Sequence, residues 1–156
     1  MRCLFLLFVL LAISACASPK FTAIAIKSVN SDVVLIKDDE TRKGFLSTVK
    51  GWLAKNGYKF TVAADGSLHD HEKLTLEYKG VWRWDLALFL SQAEIKAFKG
   101  GQRVGEVTYK AANNLNTNKF GVGSERIVYM LDVLFGKLTV KDANTIITGA
   151  EEKADP

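Results

Sequence analysis

No G-x-S-x-G nucleophile elbow, no glycine-rich phosphate loop and no H-E-x-x-H zinc signature occurs in the 156 residues. The patterns that announce the commonest hydrolytic and nucleotide chemistries are therefore missing. Cysteine and histidine are scarce, at two each, which leaves few ligands for a soft metal and few nucleophiles. The formal charge is only +4, and Lys37, Arg42, Lys43, Lys50 and Lys55 are separated by acids and apolar residues. No basic stripe marks a nucleic-acid partner. There is no internal repeat. The longest apolar run, Leu4 to Ile13, would span about 15 Å as a helix, half of a bilayer core and too short for a transmembrane anchor.

That run is nevertheless the most informative segment. Arg2 precedes it, and Ile13-Ser14-Ala15-Cys16 closes it, the layout of an export signal ending in a bacterial lipoprotein cleavage and acylation site. Cleavage before Cys16 would leave its thiol and new amino group to carry acyl chains, palmitate among them. Each buried CH₂ contributes on the order of 0.8 kcal/mol, so several chains would hold the protein at a membrane without a second segment. Ala17 lacks the acidic character that retains enterobacterial lipoproteins at the inner membrane. The resemblance to those proteins implies the periplasmic face of the outer membrane. Removing residues 1–15 takes away Arg2 and no acid, leaving 141 residues at formal charge +3. With Cys3 lost and Cys16 acylated, the mature chain would have no free thiol, no disulfide and no cysteine metal ligand.

The expected organisation is a removed signal at 1–15, a lipidated tether at 16–20, one domain at 21–140 and a mostly flexible tail at 141–156. The tether is short, reaching roughly 15 Å when extended. The domain starts with the alternation Phe21 to Ile26, followed by Val33 to Ile36, short and branched enough for a buried strand. Phe45, Leu46, Val49, Trp52 and Leu53 share one helical face. Asp38 and Asp39 are expected to cap that helix and Asn56-Gly57 to end it, with Gly44 and Gly51 permitting close packing on a sheet. A strand from Tyr58 to Val62 and a loop at Ala64 to Ser67 follow.

From Leu74 the pattern is β. Leu74, Leu76, Tyr78, Trp82, Trp84, Leu86, Leu88 and Leu90 share even parity, with Gly80 offering a bend. A bulge near Ser91-Gln92 would reconcile this phase with the next. A three-residue loop at Gly100-Gly101-Gln102 would set Ile95 against Val107, Ala93 against Tyr109, Ala97 against Gly105 and Lys96 against Glu106. After the polar segment Ala111 to Gly123, Ser124 is expected to cap a second helix with Ile127, Leu131, Leu134, Phe135 and Leu138 on one face. The fold class is α+β: a largely antiparallel twisted sheet of about five strands with two amphipathic helices on one face.

Few residues invite chemistry. His69 and His71, in Leu68-His69-Asp70-His71-Glu72, would point the same way on a strand and could share a metal, though two ligands do not complete a tight site. Asp85, Glu94 and Glu106 are the carboxylates from which an acid/base pair could be drawn, Asp85 being expected to be held by Arg83 or a backbone donor. Gly121-Val122-Gly123 lacks the preceding strand and third glycine of a phosphate cradle. Trp82 and Trp84 are candidate partner-binding anchors if exposed, but their phase with the leucines favours burial under the helices.

Taken in order, Val34-Leu35-Ile36-Lys37-Asp38-Asp39, Gly44-Phe45-Leu46, Asn56-Gly57-Tyr58, Leu74-Thr75-Leu76-Glu77-Tyr78, Trp84-Asp85 and Ala93-Glu94-Ile95 with Gly101 and Gly105 resemble an uncharacterised family of small proteobacterial lipoproteins, the Shewanella-type (Sbal-type) family. The resemblance covers most of residues 33–137. Relatives carry cysteines at places corresponding to Leu35 and Glu72, absent here, so a family disulfide is not available. The family implies an address and a fold without an activity. The functional expectation is a non-enzymatic module without cofactor, held to the membrane through lipid on Cys16, with an envelope protein or peptidoglycan-associated partner. The alternative is a periplasmic small-ligand or metal binder using His69 and His71.

Overall fold

The computed structural model describes residues 18–27, 29, 32–112 and 116–149. Its described elements are β1 (Lys20–Ile24), β2 (Val33–Ile36), α1 (Lys43–Lys55), β3 (Phe60–Ala63), β4 (Leu74–Asp85), β5 (Ala87–Lys99), β6 (Gln102–Lys110), a 3₁₀ turn (Thr117–Phe120), α2 (Gly123–Leu134) and α3 (Val140–Thr148). The strands form one six-stranded mixed sheet in the order β1-β6-β5-β4-β2-β3. The class is α+β, with one strand and one helix more than the pattern suggested.

The additional helix corrects the expected flexible tail from residue 141. Val140, Ala143 and Ile147 recur at helical spacing, and Ala143 and Ile147 are buried. The Thr139 hydroxyl accepts the Asp142 N–H at 3.1 Å, and Gly149 ends the helix at φ 63°, so both ends are capped. Asn144 then grips the edge strand, accepting the Phe21 N–H at 2.7 Å and donating to the Phe21 carbonyl at 3.3 Å.

Parallel pairing is the other departure. β2 lies parallel to both β3 and β4, because α1 returns the chain to the end where β2 began before β3 enters, and the loop at residues 64–73 returns it again before β4. Sandwiched between neighbours, Val33 to Ile36 are all buried, as a central parallel strand requires.

The α1 face forms as its spacing predicts, burying Phe45, Val49, Trp52 and Leu53; each such side chain contributes roughly 1.5–3 kcal/mol. Its start differs. Arg42 is the N-cap residue without a side-chain cap, while Asp38 accepts the Glu40 N–H at 3.0 Å and the Thr41 hydroxyl at 2.6 Å, closing the turn ahead of the helix. Gly44 and Gly51 face outward, where an added Cβ would meet nothing within 4 Å, so they do not serve close packing. Ser124 lies inside α2, whose N-cap is Val122. The third strand runs over Phe60–Ala63, later than expected.

The β5–β6 register matches the expected partners, Ile95 to Val107, Ala93 to Tyr109, Ala97 to Gly105 and Lys96 to Glu106. The loop that produces it is different. Gly100 and Gly101 form a two-residue turn at φ 57° and 75° between Lys99 and Gln102, the positive pair of a type I′ turn. An irregularity between Ala97 and Phe98 leaves Val104 without a partner and restores the register. Ser91 is the extra residue between β4 and β5, where Val81 pairs with Gln92 but Trp82 with Leu90, which is the bulge that the two phases require.

Candidate functional site

Cys16, the lipidation candidate, lies outside the described residues. What surrounds its point of attachment is defined: β1 begins at Lys20, and Lys20 pairs with Lys110, which pairs with Gln92, which pairs with Val81. These residues form a row across four strands at one end of the sheet. Since β1 runs away from that row, the chain enters the domain there.

Of the four described strands in the row, β4 and β5 continue past it as a hairpin. It reverses at Leu86, with Asp85 opposite Ala87 and Trp84 opposite Leu88. Reversal about an even-numbered residue pairs even with even, so the phase of the leucines and tryptophans persists through a turn the pattern did not reveal. Asp85-Leu86-Ala87 contains none of the glycine, asparagine or proline that marks a reversal. Leu86 takes φ 60°, a left-handed conformation costly to a residue with a bulky side chain.

The helices cover this face only as far as Trp82 and Leu90. The Trp82 ring is half-buried, meeting Phe45 edge-on at 6.3 Å with the Arg42 guanidinium 6.0 Å from its centroid. Beyond that line Trp84 is 74 % exposed, Leu86 88 % and Leu88 44 %. Burial of both tryptophans under the helices is thus corrected: the hairpin outruns α1 and α2, and Trp84 stands clear.

The opposite face of the hairpin is braced. The Lys119 ammonium, buried, forms a short salt bridge with Asp85 and lies 4.9 Å from the Phe120 ring centroid. Phe120 meets the buried Phe89 edge-on at 5.7 Å. Asp85 is therefore held by a lysine of the 3₁₀ turn rather than by Arg83. Nothing in the polar segment singles out Lys119 beforehand, because its partner lies 34 positions away.

The remaining candidates separate. His69 and His71 lie in the loop before β4, at the end of the sheet away from the hairpin apex. His69 shares a 2.8 Å hydrogen bond between its Nε2 and Glu77 and stacks on Phe98 at 4.0 Å. A Cβ on Gly101 would come within 3.2 Å of the His71 ring, so the two imidazoles have different neighbours. Asp70 between them accepts the Glu72 and Lys73 N–H groups at 2.8 and 3.0 Å, which holds its carboxyl below the usual range. Among the described residues no group of three or more His, Cys, Asp or Glu side chains is arranged to hold a metal.

Glu94 and Glu106 do come together on the open face, bound by Lys96 at 2.8 Å and Arg103 at 2.6 Å respectively. Burial pushes the Glu94 carboxyl up, but hydrogen bonds from Lys96 and with Glu106 outweigh it and leave it below its ordinary value. It is thereby kept an ionised acceptor. Asp85 lies apart from both. Gly121, in the segment that superficially resembles a phosphate cradle, is filled from within: a Cβ there would lie 2.2 Å from the Arg126 Nη2. Arg126 is itself buried, and its Nε has no hydrogen-bond partner among the described residues.

No family model and no curated protein matches this chain. Among solved structures it is similar to a minor lipoprotein from Acinetobacter baumannii, at 14% identity and TM-score 0.33, over 83% of this chain and 100% of that one. A PDZ domain protein from Parabacteroides distasonis is similar at 11% identity and TM-score 0.40, over 81% of this chain and 38% of the other.

Proposed function

We propose that this chain is a bacterial lipoprotein anchored by acylated Cys16 to the periplasmic face of the outer membrane, its domain serving as a non-enzymatic binding or accessory module of the envelope. The observation that carries this reading is the sequence Ile13-Ser14-Ala15-Cys16 at the close of a ten-residue apolar run, with β1 beginning four residues later. An acyl group on Cys16 would hold the domain against the lipid surface, since so short a tether leaves little separation. The partner we envisage is a neighbouring envelope protein or a peptidoglycan-associated component. Ion-paired Glu94 and Glu106 and the backbone-bound Asp70 are already engaged within the fold, which fits a recognition role better than proton transfer.

Cys16→Ser tests the anchor. The domain should keep its circular dichroism spectrum, and the protein should move from the membrane to the soluble fraction. A variant that stayed with the membrane after a carbonate wash would refute acyl anchoring.

A further inference from the structure

We propose that the apex of the β4–β5 hairpin is a second membrane contact, with Trp84, Leu86 and Leu88 entering the headgroup region of the leaflet that holds the acyl chains; this rests on the anchor reading above. Two independent features point to it. The first is position. The hairpin advances five residues past the row of Val81, Gln92, Lys110 and Lys20, about 16 Å at strand rise. From Lys20 back to Cys16 the chain has four residues and reaches about 14 Å at most. β1 and β4 are three strand spacings apart, roughly 14 Å. The start of β1 and the apex thus lie at the same end of the sheet, so a domain drawn to a bilayer by its lipid presents this hairpin to the same surface.

The second is the composition and strain of the apex. Leu86 holds a left-handed backbone while burying almost none of its side chain. Folding gains nothing from leucine there that glycine or asparagine would not supply at lower strain. A residue that is strained and apolar in water is accounted for if its side chain finds an apolar medium elsewhere. Trp84 beside it has the amphipathic ring that favours the membrane interface. Arg83, on the opposite face of the hairpin, and the exposed Lys20 and Lys110 behind it supply positive charge toward anionic headgroups. The Asp85–Lys119 and Phe89–Phe120 contacts hold the hairpin from its other side, so the contact is preformed.

The full acylated protein, reconstituted into vesicles of phosphatidylethanolamine and phosphatidylglycerol, tests this directly. Part of the lipids carry bromine high on their acyl chains, and tryptophan emission is the readout. Trp52 is buried and Trp82 half-buried under the helices, so quenching should belong to Trp84 and be lost in Trp84→Phe. Leu86→Asn, which suits the left-handed turn, should leave the fold intact and weaken quenching of Trp84. Equal emission in brominated and unbrominated vesicles, or quenching that survives Trp84→Phe, would overturn the proposal and leave the hairpin as a protein-docking element. The intact mass of the same preparation reports acylation separately. If it shows no acyl mass, the anchor reading fails, and quenching on adding that protein to vesicles still supports the hairpin contact, while its absence overturns it.

Discussion

The Trp52 indole donates its N–H to Asp132 Oδ1 at 2.9 Å, tying α1 to α2 across a half-buried seam where Trp52 also packs against Phe135 with ring centroids 4.7 Å apart. A buried indole N–H without an acceptor is costly, so the carboxylate is the polar complement of an otherwise apolar helix pair. Asp132→Ala should therefore lower unfolding free energy by about 1–2 kcal/mol, while Asp132→Asn, which retains an acceptor, should lose less. Urea denaturation measures this: the midpoint should fall with the slope unchanged. Equal losses in the two variants would show that the bond contributes little.

Gly80 is the floor on which Trp82 rests. An added Cβ would lie 2.6 Å from the Trp82 ring and 2.9 Å from the Phe45 ring, closer than carbon atoms approach. Gly80→Ala should displace Trp82 from Phe45 and destabilise the domain by about 1–3 kcal/mol, the usual range for an overfilled core. A reduced denaturation midpoint together with a changed near-ultraviolet tryptophan spectrum is the expected pair of results.

Alkaline pH should loosen the core through its buried phenols. Burial raises the Tyr109 hydroxyl above its ordinary value of 10.0, with the Arg126 guanidinium acting in the opposite direction. Tyr78 is also raised, mainly by burial. A folded pKa above the unfolded one means that the folded chain retains the proton longer; the associated stability is present below about pH 10 and declines as pH rises through the folded value. Melting temperature should accordingly drop above about pH 10, and less steeply in Tyr109→Phe. Identical slopes in the two proteins would remove Tyr109 from this account.

Local periodicity was informative wherever one face of an element meets the core. Phe45, Val49, Trp52 and Leu53 recur at helical spacing and are buried together. As far as Ala97, odd residues of β5 meet odd residues of β6, as at Ile95 and Val107, because a one-residue slip would turn the apolar set outward. That same constraint explains why the β5–β6 register was legible although the loop was not: a two-residue turn plus the unpartnered Val104 produces the same partners as a three-residue loop. The third helix was hidden by its surroundings, since Val140, Ala143 and Ile147 are too few to stand out among charged and small residues until Asn144 is seen gripping Phe21.

The candidate site divides in the same way. By itself the sequence determined the acylation candidate Cys16, the class of the fold, and the even phase that joins Trp82, Trp84, Leu86, Leu88 and Leu90, because these follow from local order along the chain. Only the tertiary structure decided where that apolar row ceases to be core. Its exposure depends on where α1 and α2 end above the sheet, on the reversal at Leu86, and on Lys119 arriving from 34 positions away to hold Asp85. Coverage by elements distant in the chain leaves no periodic trace in the strand being covered. For that reason Trp82 and Trp84, indistinguishable as letters two positions apart, became a half-buried core ring and an exposed one.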